Sequence, residues 1–314
     1  MIIKDQNDIT KAVLAEIARA PSPRFREIMS AAVTHLHGFA RDAQLTEAEF
    51  HQMCQYIARL GQLTTPSHNE VVLACGSLGL SSLVCLLNNG ENGQTETTAN
   101  LMGPFWRLNS PATENGGSIV RSPTPGDPIF VEAWVKDKKG NPVSQATVDV
   151  WHTSADGFYE NQDPEQAEMN LRGQFTTDEN GYLAFRSVKP AGSPIPVSGP
   201  VGELLQAQGR HNMRPAHIHF MVFKEGFKTQ FSQVYSSDDP NVDTDAQFGV
   251  TQALLGEYVK HEGNAPSADI EGVWYSLQCE FVIEPGKATL PRPPITEKTH
   301  APRPERVVLE RAPD

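Results

Sequence analysis

Apolar positions follow one period before about residue 100 of this chain and another after it. From Asp8 to about Asn88 the spacing is helical, with Ile9, Val13, Ile17 and Ala18 on one face. Pro21-Ser22-Pro23 breaks the pattern, and residues 25–40 predict a second helix. Thr46-Glu47-Ala48-Glu49 opens a third through a cap and an acidic first turn. Residues 71–87 are almost wholly apolar, with Gly76 and Gly79 permitting close approach, which predicts a buried helix or a dimer face.

After Gly103-Pro104-Phe105-Trp106 the period shortens to two. Residues 129–135, 147–151, 181–185, 216–223 and 229–235 predict strands, and Lys139-Gly140-Asn141-Pro142 predicts a turn between the first two. Many short strands separated by such turns predict a β-sandwich. Residues 291–314 are rich in proline and charge and predict an extended arm or a disordered tail. The fold class is therefore α+β, mainly β. Its regions are helical at 1–100, a β-sandwich catalytic domain at 101–290 and a C-terminal arm at 291–314.

Composition narrows the partners. A net charge of −12 and a pI near 5.3 argue against nucleic acid or an anionic membrane surface. No apolar run reaches membrane-spanning length, and the first residues lack a signal-peptide core. Cys54, Cys75, Cys85 and Cys279 are scattered with no CxxC, which predicts free thiols in a reduced, cytoplasmic setting.

The chemistry concentrates in Gly209-Arg210-His211-Asn212-Met213-Arg214-Pro215-Ala216-His217-Ile218-His219-Phe220. His217-x-His219 lies in a strand pattern, so both imidazoles project from one face and form half of a metal site. His35-x-His37 is the internal control: on a helix, residues two apart diverge and cannot share an ion. Arg214 brings a permanent cation beside the pair. Upstream, Trp151-His152-Thr153-Ser154-Ala155-Asp156-Gly157-Phe158-Tyr159 ends a strand in a turn that presents a tyrosine. A lone histidine pair in a strand, or a lone turn tyrosine, is more often a packed residue than a ligand.

Taken together, these and further ordered motifs resemble the intradiol ring-cleaving dioxygenases, above all their hydroxyquinol 1,2-dioxygenase branch. The resemblance runs to about residue 285. It rests on Leu78-Gly79-Leu80-Ser81, Gly103-Pro104-Phe105-Trp106, Asp149-Val150-Trp151-His152, Gly157-Phe158-Tyr159, Asn170-Leu171-Arg172-Gly173, Gly199-Pro200-Val201-Gly202, Arg214 to His219, and Phe248-Gly249-Val250. It implies one non-haem Fe(III) held by two tyrosinates and two histidines, with Tyr159, His217 and His219 as three of the ligands. It implies an aromatic diol or triol and O2 as substrates, and cleavage between vicinal hydroxyls. Arg214 matches a residue that stabilises negative charge on the substrate, and Gln233 a polar residue that orients the ligands. Leu80, Cys85, Gly103, Pro104 and Phe105 match the substrate pocket. A homodimer through the N-terminal helices, with lipid bound at its interface, is also implied. Extradiol cleavage is disfavoured, because it usually rests on Fe(II) held by two histidines and a carboxylate.

Two positions depart from the family pattern. Pro190-Ala191-Gly192-Ser193-Pro194-Ile195-Pro196 carries Ser193 where the second tyrosinate stands. A serine hydroxyl is a far weaker acid than a phenol and has a shorter reach. Four explanations stay open: an engineered ligand knockout, a natural variant with water or hydroxide in the gap, substitution by Tyr182 or Tyr235, or a descendant acting as a hydrolase, lyase or aromatic-binding protein. Loss of one anionic donor favours a divalent ion, Fe(II) or Zn(II), more than the usual set does. Cys85 stands where hydroxyquinol enzymes tend to carry an acid. A thiol there offers only a weak donor to a third ring hydroxyl.

Overall fold

In the computed structural model, which describes residues 2–91, 96–300 and 302–307, three capped helices come first: α1 (Gln6–Ile17), α2 (Pro23–Asp42) and α3 (Glu47–Gln62). Each begins where the chain supplies an acceptor for its unpaired N–H groups. Asp5 accepts from Asn7 N, and Ser22 from Phe25 N with Pro23 in the first turn. Thr46 and Glu49 form a reciprocal capping box, with Thr46 N to Glu49 Oε2 at 2.9 Å and Glu49 N to Thr46 Oγ1 at 3.3 Å.

The apolar stretch at 71–87 is not one buried helix. It divides into α4 (Glu70–Ser77) and α5 (Leu80–Asn89), bent by 75° at Gly79, whose φ of 72° is left-handed. Glycine takes that conformation without steric cost, so the break is built into the residue. Only α4 is core: Leu73 and Ala74 pack with Ile195, Val201, Leu205 and Ala246. The second helix leaves Leu80, Leu83, Val84 and Leu87 exposed. Among the described residues no single helix is long and apolar enough to cross a membrane; only the bent α4–α5 pair passes on length and composition together.

The strands are β1 (Pro128–Asp137), β2 (Thr147–His152), β3 (Arg172–Thr176), β4 (Tyr182–Val188), β5 (Ser193–Pro194), β6 (Met213–Arg214), β7 (His217–Phe223), β8 (Gln230–Ser236), β9 (Leu255–Gly256), β10 (Val259–Glu262) and β11 (Val273–Ile283); helix α6 (Pro200–Ala207) lies between β5 and β6. Four strands form one sheet in the order β10-β11-β1-β4, and five form a second in the order β3-β2-β7-β8-β9. Their facing sides share one core that includes Val131, Val135, Val148, Ile218, Phe220 and Phe281. This is the β-sandwich the alternation predicts. All five predicted strands are present. The longest, β11, lies outside them although Leu277, Cys279 and Phe281 alternate with polar neighbours. β3, Arg172-Gly173-Gln174-Phe175-Thr176, has a single large apolar residue and exists because β2 pairs with it.

The chain divides into two compact units, Met1–Ala58 and Arg59–Asp314. Within the second, the described part of 291–314 is a docked arm rather than a disordered tail. Ile295 is buried, Thr296 N donates to Pro66 O at 2.7 Å, and Thr299 N to Asn161 O at 2.8 Å. The remainder of that prediction, residues 301 and 308–314, lies outside the described residues. The four cysteines are free, as expected.

Candidate active site

β7 is the middle strand of its sheet and is buried on both faces. Ile218, Phe220 and Val222 enter the sandwich core, so the two-residue period turns His217 and His219 to the opposite face. Trp151 on β2 lies directly opposite His219 and stacks on its imidazole, with centroids 4.6 Å apart and planes within 9°. Tyr159 arrives from the loop after β2. Gly157, at φ 82°, makes the turn that aims it inward, and a Cβ there would lie 2.3 Å from Gly192 O. Arg172, wholly buried, rivets this loop in place. It donates to Phe105 O at 2.8 Å, to Glu160 Oε1 at 2.7 Å and to Asn161 Oδ1 at 3.1 Å.

Three donor atoms meet in a small triangle. Tyr159 Oη is 3.0 Å from His217 Nε2 and 2.8 Å from His219 Nε2, and the two Nε2 atoms are 3.0 Å apart. His217 Nδ1 donates to Pro215 O at 2.7 Å, which leaves a lone pair on Nε2 facing the other two. Burial, with Arg214 adding to it, lowers the His217 pKa to about 3. Burial and then His217 push His219 well down, so both rings are neutral. Burial raises the Tyr159 phenol, against the pull of Arg214 and Arg172. His219 Nδ1 is buried without a hydrogen-bond partner among the described residues. Among the described residues no three His, Cys, Asp or Glu side chains cluster as metal ligands; here the third donor is a phenol.

Arg214, on β6, borders the triangle, with Nη1 3.5 Å from His217 Nε2. Asp245 holds it by two parallel hydrogen bonds, and Nη2 also donates to Tyr235 Oη at 2.8 Å. Burial works against the guanidinium charge, but Asp245 and Tyr235 outweigh it and raise the pKa. Tyr235 Oη donates in turn to Gln233 Oε1 at 2.7 Å, and Gln233 Nε2 to Leu101 O at 2.7 Å. Gln233 sits across from His219 in the ladder, yet its bonds steady Tyr235 and hence Arg214 rather than an imidazole.

Ser193 is 4% exposed and pairs with Arg214 across the β5–β6 ribbon. Directly opposed residues project to the same side, so position 193 flanks the site. Tyr235 lies close, with its ring 5.3 Å from that of His217, but its hydroxyl is committed to Arg214 and Gln233. Tyr182 belongs to the other sheet, bonding Glu132 and packing on Trp134.

The remaining pocket residues separate. Gly103 has φ 72°, and a Cβ there would lie 3.2 Å from His219 Cε1. Gly103 and Cys85 line one cavity of about 480 Å³. Burial raises the Cys85 thiol to about 11 despite the nearby Asn89 amide. Phe105 packs on Tyr159 with ring centroids 4.6 Å apart and planes tilted by 39°, and lines a different cavity of about 600 Å³. Pro104 is buried, while Leu80 is half-exposed at the start of α5. Sequence reasoning missed Trp151, Arg172, Asp245 and Gln162 as positioning residues. Trp151 and Arg172 stood inside quoted motifs, and Asp245 three residues before another; Gln162 carried no signal.

The site thus combines a β-sandwich with two neutral imidazoles and a phenol that converge beside a buried arginine, a His-His-Tyr centre. Comparison with known proteins names the family. A family model described as Dioxygenase matches residues 101–281, and one described as Catechol dioxygenase N terminus matches residues 22–96. A 6-chlorohydroxyquinol 1,2-dioxygenase from Cupriavidus pinatubonensis is 37% identical over 90% of this chain and 98% of its own length. A catechol 1,2-dioxygenase from Candida albicans is 35% identical over 80% of this chain and 84% of its own. A solved structure of hydroxyquinol 1,2-dioxygenase from Pseudomonas putida superposes with a TM-score of 0.79 at 35% identity, covering 90% of this chain and 99% of that one. The chain belongs to the intradiol ring-cleaving dioxygenase family.

Proposed function

We propose that this enzyme cleaves an aromatic 1,2-diol, hydroxyquinol or catechol type, with O2, using one non-haem Fe(III) held by Tyr159, His217 and His219. The convergence of their three donor atoms at 2.8–3.0 Å carries the reading. Two donors each about 2.1 Å from one ion and about a right angle apart are separated by about 3 Å. The donor set also fits chemically, because a phenolate is a hard anion suited to a ferric ion and neutral imidazoles complete it. When bound, the iron supplies Lewis acidity that activates the chelated diol toward O2.

The chain's own residues do the rest. His217 keeps its lone pair aimed inward because Pro215 O holds the opposite N–H. Tyr159, left protonated by burial alone, gives up its proton to serve as an anionic donor when a cation is present, and the positive field of Arg214 and Arg172 helps. Arg214, fixed by Asp245, supplies a cation that need not reorganise as negative charge grows on the ring. Ser193 stands where the resemblance puts the second tyrosinate, and its hydroxyl is a far weaker acid than a phenol. Family membership weighs against the hydrolase, lyase or binding-protein alternative.

O2 uptake with hydroxyquinol and with catechol, measured beside metal analysis, tests this reading. The expected result is about one iron per chain and a cis,cis-muconate-type acid. Zinc in place of iron, or no uptake with either diol, overturns it.

A homodimer through the N-terminal helices, with lipid at its interface, is part of the proposal. Helices α1 to α3 contain no buried residue and expose Phe25, Ile28, Leu36, Phe39, Phe50 and Ile57. So many large apolar side chains in water favour a covering partner. Sedimentation analysis should return a dimer mass, and solvent extraction a lipid.

A further inference from the structure

We propose that the C-terminal arm completes a second compartment of the diol site, one that takes a bulky ring substituent through an atom that accepts a hydrogen bond. The proposal rests on the diol-cleaving reading above and extends it to the class of substrate.

The compartment is the cavity of about 600 Å³ that Phe105, Gln162, Val197 and Ser198 share with arm residues 302–305. It adjoins the donor triangle, since the Phe105 ring packs on that of Tyr159 at a tilt and Gln162 Oε1 accepts the Tyr159 N–H at 3.2 Å. Its volume falls within the range of about 300–1,000 Å³ usual for drug-sized ligands, well beyond what a single diol ring fills.

Gln162 adds a buried donor to the compartment's lining. A backbone N–H can only donate, so the amide oxygen must face Tyr159 N and the NH2 must face away. That NH2 is buried and has no partner among the described residues, on a residue 4% exposed that lines the cavity. A buried donor without a partner is costly, and a ligand acceptor placed there relieves it. Phe105, Pro196, Val197, Pro302 and Pro304 give it apolar walls, and the remaining lining is polar, with His68, Arg303 and Glu305 among it. The matching substituent thus combines an apolar part with an acceptor oxygen, such as an aryl ketone.

The arm is tied to the ligand-bearing loop. Arg303 Nη2 bonds Asp163 Oδ2 at 2.7 Å and Glu165 Oε2 at 3.3 Å, and its guanidinium lies 5.1 Å from the Phe158 ring. Asn212 grips the arm twice, donating to Glu305 O at 3.0 Å and accepting from Val307 N at 2.9 Å. The match to the family model ends at residue 281, before the arm begins.

The test compares catechol with 4-acetylcatechol in the wild-type protein, Gln162→Leu and Ser198→Phe. Ser198 is exposed, so a phenylalanine there narrows the cavity from its rim without disturbing the core. Selectivity is read twice, as a ratio of kcat/KM from O2 uptake and as a ratio of Kd from calorimetry on the iron-loaded protein. Comparing variants cancels the acetyl group's own electronic effect. Gln162→Leu should lower preference for the acetyl compound by about threefold to tenfold in both ratios, the worth of one neutral hydrogen bond. Ser198→Phe should lower it as well. Equal Kd ratios in all three proteins overturn the compartment, whatever the O2 uptake. Shifted Kd ratios without uptake of O2 on either diol would support the compartment and overturn the ring-cleaving reading instead.

Discussion

Asp245 clamps Arg214 through two parallel hydrogen bonds, Nε to Oδ1 at 2.9 Å and Nη2 to Oδ2 at 3.0 Å, with both side chains buried. Gln247 N and Gly249 N donate to the same carboxylate at 3.1 and 2.8 Å, so the clamp is itself fixed by backbone. Asp245→Asn leaves a buried guanidinium without its counter-charge. We expect a loss of roughly 3–5 kcal/mol in stability, as is usual on breaking one side of a buried pair. Denaturant unfolding measures it, and an unchanged midpoint would contradict the assigned role.

The same pair sets an acid limit. Burial alone would raise the Asp245 pKa, but Arg214 outweighs it and lowers the value below the ordinary 3.8. A carboxyl with a depressed folded-state pKa contributes stability that is complete above its unfolded value and lost as pH falls through the folded one. The urea midpoint should therefore hold above about pH 4 on this account and fall below it. Asp245→Asn should flatten that part of the profile.

Gly103→Ala probes the close approach to His219. The residue is left-handed at φ 72°, and the added methyl would lie 3.2 Å from His219 Cε1. Backbone strain alone costs about 1–2 kcal/mol. The imidazole must also shift, so iron content after purification should fall more than global stability explains. Full iron loading in a folded variant would count against the contact.

Ser193→Tyr returns a phenol to the position opposite Arg214. If the site has one tyrosinate as it stands, the variant's tyrosinate-to-iron(III) absorption should intensify and its redox potential fall. A wild-type band already at two-phenolate strength would mean that another tyrosine fills the gap.

Tyr159→Phe removes the only phenol in the donor triangle while preserving its packing on Phe105. The visible charge-transfer band should vanish and iron should bind more weakly. Retention of the band would move the ligand role to Tyr235.

Much of this was legible in the chain because it depends on near neighbours. Two-residue spacing was enough to turn His217 and His219 to one face, and the Thr46–Glu49 box marked the start of α3. The proline breaks and the five strands were equally local. Hydrophobic periodicity could not see that the 71–87 run bends at Gly79, because both halves are apolar and only a backbone angle separates them. Nor could it tell which apolar face stays exposed.

What tertiary structure alone decided is the set of contacts between residues far apart along the chain. Tyr159 meets the two imidazoles across some sixty residues, and Asp245 reaches Arg214 across 31. Gln233 was expected to orient an imidazole and instead steadies the Tyr235–Arg214 chain. The proline-rich arm, which by composition could be tail or strap, lies along the Tyr159 loop because Asp163, Asn161 and Asn212 offer it partners. Residue types and spacing determine which groups can do chemistry here. Which of them share one buried space follows from how two sheets and their loops close, and no local pattern encodes that.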